Sequence, residues 1–150
     1  MNNASIVIQK PADAATSLVL LFHGVGALPS DMAYVGKRIA MQDPGAFVVA
    51  VASPDPSDFG RGRQWFSVKD ITETNRPERI AATMPRFEQE IADWQREAGL
   101  APTQTTLVGF SQGAIMALEA TLRQPTLAAH VIALAGRFAA RPNVRPGAAV

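Results

Sequence analysis

The sequence predicts one α/β domain, spanning residues 1–150, built on a largely parallel sheet with helices on both of its faces. Three observations carry that prediction. Short apolar or β-branched runs recur at Ser17 to Phe22, Ala46 to Ala52, Thr105 to Phe110 and His130 to Ala135, and they are continuous rather than alternating, as strands buried on both faces are. Segments of helical spacing or helix-forming composition lie between them, which gives the strand, helix, strand order of right-handed crossover units. Glycine turns follow strands directly, at Gly24 and Gly26 and again around Ser111.

Taken in order, Ser5 to Gln9 is a short β-branched run that reads as an edge strand, closed by Lys10-Pro11. The buried run Ser17 to Phe22 leads into His23-Gly24-Val25-Gly26, after which Ser30 or Asp31 is placed to cap a helix reaching about Met41. Asp43-Pro44-Gly45 turns the chain into the next strand. A long polar loop follows, with Ser53-Pro54-Asp55-Pro56, Arg61-Gly62-Arg63 and Trp65-Phe66; Arg61 and Arg63 read as a solvated, glycine-spaced turn rather than an anion site. Ile80, Met84, Phe87, Ile91, Trp94 and Ala98 then share one face of a long amphipathic helix, with Pro77 in its first turn. Met84 and Trp94 are read as core residues there. Pro85 should kink this helix, and Gly99 and Pro102 should end it. A final helix runs from about Gln112 to Arg123 and stops before Pro125, and from Gly136 onward the chain has no periodicity.

Composition narrows the classes of partner. With 47% hydrophobic and 18% charged residues in 150, and a mean hydropathy of +0.05, the chain can bury a core. A net charge of +1 with no basic run gives no reason to expect nucleic acid or an anionic membrane. No apolar run approaches a membrane span of about 18 residues, and the start of the chain lacks the pattern of a leader, so a cytoplasmic protein is the simplest expectation. Cysteine is absent, which removes disulfides, thiolate nucleophiles and cysteine metal sites. Any nucleophile must be an oxygen.

The candidate is Ser111. Gly109-Phe110-Ser111-Gln112-Gly113 follows a strand and opens a helix, the arrangement that lifts a serine hydroxyl above a sheet on a strained turn. Gly109 and Gly113 keep the strand and helix close, and the helix beginning at Gln112 turns its free N–H groups toward developing negative charge.

Leu21-Phe22-His23-Gly24-Val25-Gly26, Arg63-Gln64-Trp65-Phe66 and Gly109-Phe110-Ser111-Gln112-Gly113, in this order and spacing, resemble the phospholipase/carboxylesterase family of α/β-hydrolases, small serine esterases that include bacterial carboxylesterases and acyl-protein thioesterases. The likeness covers roughly Leu18 to Phe138. It implies an α/β-hydrolase fold with Ser111 as nucleophile and the backbone N–H groups of Val25 and Gln112 as the oxyanion hole. His23, Gly24, Gly26, Gly109 and Gly113 would be supporting loop residues, and Trp65 and Phe66 a wall beside the substrate, with core packing as their other reading. His23 is a general base or a residue that shapes its loop, and the resemblance implies the second. Many family members have an acid where Ser67 stands.

The catalytic partners are another matter. After Ser111 the sequence has one acid, Glu119, within a helix, and one histidine, His130, at the start of a strand. A strand of about five residues at ~3.3 Å each puts roughly 16 Å between His130 and the edge that carries Ser111. The resemblance therefore implies that the triad acid and base lie outside this sequence, so that the domain is expected to be incomplete at its carboxyl-terminal end. The expected function is that of a serine carboxylesterase acting on small-molecule carboxylic esters, or thioesters, with no metal or other cofactor required. The alternative is a non-catalytic ligand-binding or interaction domain on the same scaffold. A thinner third reading pairs Ser111 with His23, assisted by Asp55 or Asp58. An open apolar edge near His130 to Ala135 is expected to pair with another copy, giving a homodimer or an aggregate.

Overall fold

A computed structural model describes residues 4–140. Its strands are β1 (Ile6–Gln9), β2 (Ser17–Phe22), β3 (Ala46–Val51), β4 (Asp55–Pro56), β5 (Arg63–Gln64), β6 (Thr105–Phe110) and β7 (His130–Leu134). The helices are α1 (Ala33–Gln42), α2 (Arg76–Ala98) and α3 (Gln112–Arg123). Five strands form one sheet in the order β1-β3-β2-β6-β7, parallel throughout except for β1, which runs antiparallel to β3. The sequence expectation of a largely parallel sheet holds. The stretch around Pro142, Arg145 and Pro146, read as aperiodic, lies outside the described residues.

Continuous apolar strands are explained by two cores. Leu18, Leu20, Phe22, Phe47, Val49, Val51 and Leu107 face α2 and α3 through Ile80, Met84, Phe87, Ile91, Met116 and Ala120. The alternate residues Val19, Leu21, Val48, Ala50 and Val108 face the other way, toward Met32, Val35 and Ile39 at and within α1. Each apolar residue along β2 and β3 is therefore used, and burying a side chain such as Phe87 contributes ~1.5–3 kcal/mol.

The helix boundaries bring two adjustments. α1 has no side-chain cap: Ser30 and Asp31 belong to a 3-10 turn, Pro29–Met32, that precedes it. Asp31 accepts a hydrogen bond from the Leu28 N–H (2.8 Å), so its carboxylate closes that turn instead of capping α1. α2 continues through Pro85 as one helix and ends at Gly99, whose φ of 66° is the left-handed terminating conformation.

Register fixes which loops meet. Phe22 pairs with Val51 on one side and with Gly109 on the other, while Phe110 pairs with Leu134. The loops after β2, β3 and β6 thus leave the sheet side by side at its carboxyl edge, where ligands of parallel sheets bind. Among the described residues no helix is long and apolar enough to cross a membrane.

Candidate active site

β6 ends at Phe110 and α3 begins at Gln112, leaving Ser111 alone to reverse the chain. Its φ of 50° and ψ of −113° lie outside the regions L-residues favour, a conformation that costs of order 1–3 kcal/mol and must be held by its surroundings. Two hydrogen bonds hold it. The Ser111 N–H donates to the Leu134 C=O (2.8 Å), and its own C=O accepts from the Ile115 N–H (3.0 Å) as the first turn of α3. Strand and helix also close tightly: a Cβ on Gly109 would lie 2.5 Å from Ala114 backbone atoms, and one on Gly113 would overlap the Phe22 carbonyl.

The loop after β2 lies against this turn. A Cβ on Gly24 would sit 3.2 Å from the Ser111 Cβ and 3.4 Å from the Phe110 ring. The next residue, Val25, is partly exposed, and its N–H has no acceptor among the described residues. Gln112 begins α3, and the first N–H groups of a helix lack intrahelical partners. Gly26 has a φ of 76° and donates its N–H to the Arg63 C=O (2.9 Å). The Val25 loop thus lies against the half-buried Ser111 turn, and Gln112 follows that turn at the start of α3.

His23 is fully buried with both ring nitrogens engaged. The Ser53 N–H donates to Nε2 (3.2 Å), so Nε2 is unprotonated and Nδ1 carries the hydrogen that it donates to the Gly24 C=O (2.8 Å). Burial pushes this imidazole below its ordinary value of 6.5, opposed by the Gly24 bond and Asp31 and assisted by Arg63. The arrangement is that of a neutral ring bracing its loop. The acids offered for a dyad are committed elsewhere: Asp55 pairs with Arg86 (3.2 Å), and Asp58 accepts from Gln64, Ser67 and the Val68 and Lys69 N–H groups. Those bonds hold the Asp58 carboxyl down at about 2, the Ser67 hydroxyl contributing most.

The other expected partners are far from Ser111. His130 pairs in register with Thr106 at the amino end of β6, roughly 16 Å of strand from the serine. Glu119, inside α3, accepts from the Ala139 N–H (2.6 Å). Among the described residues no group of three His, Asp or Glu converges as a metal site.

Trp65 and Phe66, placed beside the substrate by resemblance, are core side chains with 0% and 4% exposure. Trp65 packs edge-on against Phe22 and Phe87, with ring centroids 5.7 and 4.8 Å away, and it also borders a cavity with Pro54, Pro85 and Arg86. Arg63, read as part of a solvated turn, is half-buried: Nε donates to the Ser53 C=O (2.6 Å) and Nη2 to the Pro54 C=O (2.7 Å). Sequence reasoning also missed the Gln112 side chain, whose Oε1 accepts from the Trp65 N–H (2.7 Å) while Nε2 donates to the Phe66 C=O (2.8 Å).

Comparison with known proteins gives the family and the fold. The model of the phospholipase/carboxylesterase family matches residues 3–149. The chain is 46% identical over 143 residues to Esterase YpfH of Escherichia coli (strain K12), covering 95% of this chain and 62% of that protein. The crystal structure of esterase PE8 superposes with a TM-score of 0.79 at 34% identity, covering 87% of this chain and 63% of that one. The Bacillus cereus carboxylesterase, at 17% identity and a TM-score of 0.71 over 92% of this chain and 62% of its own, shares the fold. The chain thus spans less than two thirds of the length of these relatives.

Proposed function

The chain belongs to the phospholipase/carboxylesterase family and has the α/β-hydrolase fold of its relatives, and from that premise we propose that it serves the hydrolysis of carboxylic esters, thioesters included, through an acyl-enzyme on Ser111. The observation that carries the reading is the Ser111 backbone: a non-glycine residue at φ 50°, between a strand and a helix, with the Gly24 loop against it. Nothing in strand or helix geometry requires that strain, whereas presenting a hydroxyl above the sheet does.

In this proposal Ser111 Oγ attacks the acyl carbon while its proton passes to a base. The Val25 and Gln112 N–H groups receive the oxyanion, each worth about 3–4 kcal/mol to the tetrahedral species. Collapse breaks the bond to the alkoxide or thiolate, which leaves with the proton. Water, deprotonated by the same base, then attacks the ester and frees the acid.

The base itself comes from outside these 150 residues. The chain has two histidines; both nitrogens of His23 are bonded, and His130 is at the opposite edge of the sheet. That same observation favours a second reading, a non-catalytic ligand-binding domain.

Intact mass of the protein from its native source, before and after treatment with a fluorophosphonate ester, separates the two. A single adduct on Ser111, absent from Ser111→Ala, is the expected result. A protein of 16.0 kDa that takes no adduct yet binds esters saturably, unaffected by Ser111→Ala, would establish the non-catalytic reading.

A further inference from the structure

The two N–H groups proposed to hold the oxyanion belong to different loops, and one oxygen reaches both only if their separation is fixed. The loop of Val25 is tied to Arg63: the Gly26 N–H donates to the Arg63 C=O, and the Arg63 N–H donates to the Ala27 C=O, both at 2.9 Å. Gly62 backs onto the Gly26 carbonyl so closely that no Cβ fits there. Next along the same short segment, Trp65 and Phe66 are clamped by the side chain of Gln112, itself 2% exposed. The far side is closed as well. The Arg63 guanidinium holds the Ser53 and Pro54 carbonyls, and Ser53 holds His23 at the root of the first loop.

We propose that Arg63 to Phe66 is a splint that sets the separation of the Val25 and Gln112 N–H groups, with the Gln112 side chain and Arg63 as its positioning residues. The proposal rests on the reading of those two groups as oxyanion donors. An amide suits Gln112 at any pH, because one atom must accept from an N–H and the other must donate to a C=O. An ionised carboxylate of the same size accepts from Trp65 but faces the Phe66 carbonyl with a second acceptor.

The test is residue-resolved amide hydrogen exchange on the protein as its native source makes it, with the rate of fluorophosphonate modification of Ser111 measured beside it. In Gln112→Ala, exchange at Gly26 and Arg63 is expected to quicken about tenfold, while amides of β2 keep their rates. Serine modification is expected to slow by about tenfold or more. Exchange that quickens at Trp65 alone, with Gly26 and Arg63 unchanged, overturns the splint whether or not Ser111 reacts. Unmodified Ser111 in the unsubstituted protein from its native source, with the exchange pattern as expected, instead removes the hydrolase reading and the oxyanion role with it. If Gln112→Ala unfolds, seen as faster exchange in β2, Gln112→Glu decides: Gly26 exchange should be fast at neutral pH and return toward the parent rate on acidification, as the introduced carboxyl regains a proton to donate. A pH-independent difference from the parent overturns the proposal.

Discussion

A buried imidazole with both nitrogens bonded cannot gain a proton without losing a partner. Protonating Nε2 of His23 would turn an acceptor of the Ser53 N–H into a donor facing it. The unfolded chain binds a proton near the ordinary value of 6.5, and the folded one does so only at a lower pH. In that window the unfolded state holds more protons, so stability is fully present above 6.5 and declines as pH falls below it. Thermal midpoints measured from neutral pH to about pH 5 should fall, and His23→Asn should flatten that slope while costing about 1–3 kcal/mol at neutral pH through the contacts it loses. An unchanged slope in the variant would show that the acid sensitivity lies elsewhere. Asp58, with its carboxyl held at about 2 against 3.8, acts in a separate window: its contribution is present above 3.8 and disappears toward 2. For His23 the sequence left a general base and a loop role open, and it was the family resemblance that implied the loop role. Gln112 and Arg63 were not legible in the same way. A buried amide or guanidinium that bridges two loops leaves no periodic trace, since its partners are backbone atoms of any residue type.

Strand, serine and helix are joined through two glycines that do different work from the glycine that ends α2. At Gly113 a methyl group would meet the Phe22 carbonyl of the neighbouring strand, and at Gly109 it would meet Ala114 backbone atoms, so relief requires moving β2 or α3. At Gly99 nothing lies within 4 Å, and the only obstacle is the φ of 66°. Gly113→Ala is therefore expected to cost about 2–3 kcal/mol or more, and Gly99→Ala about 1 kcal/mol. Urea midpoints give the comparison, and equal losses would mean that close approach is not what Gly113 supplies. Elements were legible where burial imposes a period. Ile80, Met84, Phe87, Ile91 and Trp94 all point into the core as their spacing required. The start of α1 was not, because a 3-10 turn uses the same Ser-Asp pair that signals a cap. The short β4–β5 pairing was hidden too, being two residues on each side and stabilised by the loops it joins.

The two edges of the sheet are not equivalent. β1 is antiparallel, short and broken in register between Val7 and Gln9, features that discourage a further strand. β7 is parallel and regular along its length, and its outward side has no partner strand among the described residues. Ile132 and Leu134 are 49% and 42% exposed there, so this edge offers both backbone hydrogen-bonding groups and apolar side chains. An edge of that kind pairs with a second copy unless something else covers it. The prediction is concentration-dependent self-association in sedimentation velocity. Ile132→Lys with Leu134→Lys should weaken it by placing charge along the edge, and the matched pair Ile6→Lys with Val7→Lys on β1 should leave it nearly unchanged. Weakening by the β1 pair alone would move the interface to the other side of the molecule. A monomer at all concentrations would mean that β7 is already protected. The same edge bears on Ser111, because its N–H is held by the Leu134 carbonyl at the last position of β7. Whatever pairs with β7 therefore also steadies the strained serine, and association should slow amide exchange at Ser111 along with exchange in the strand.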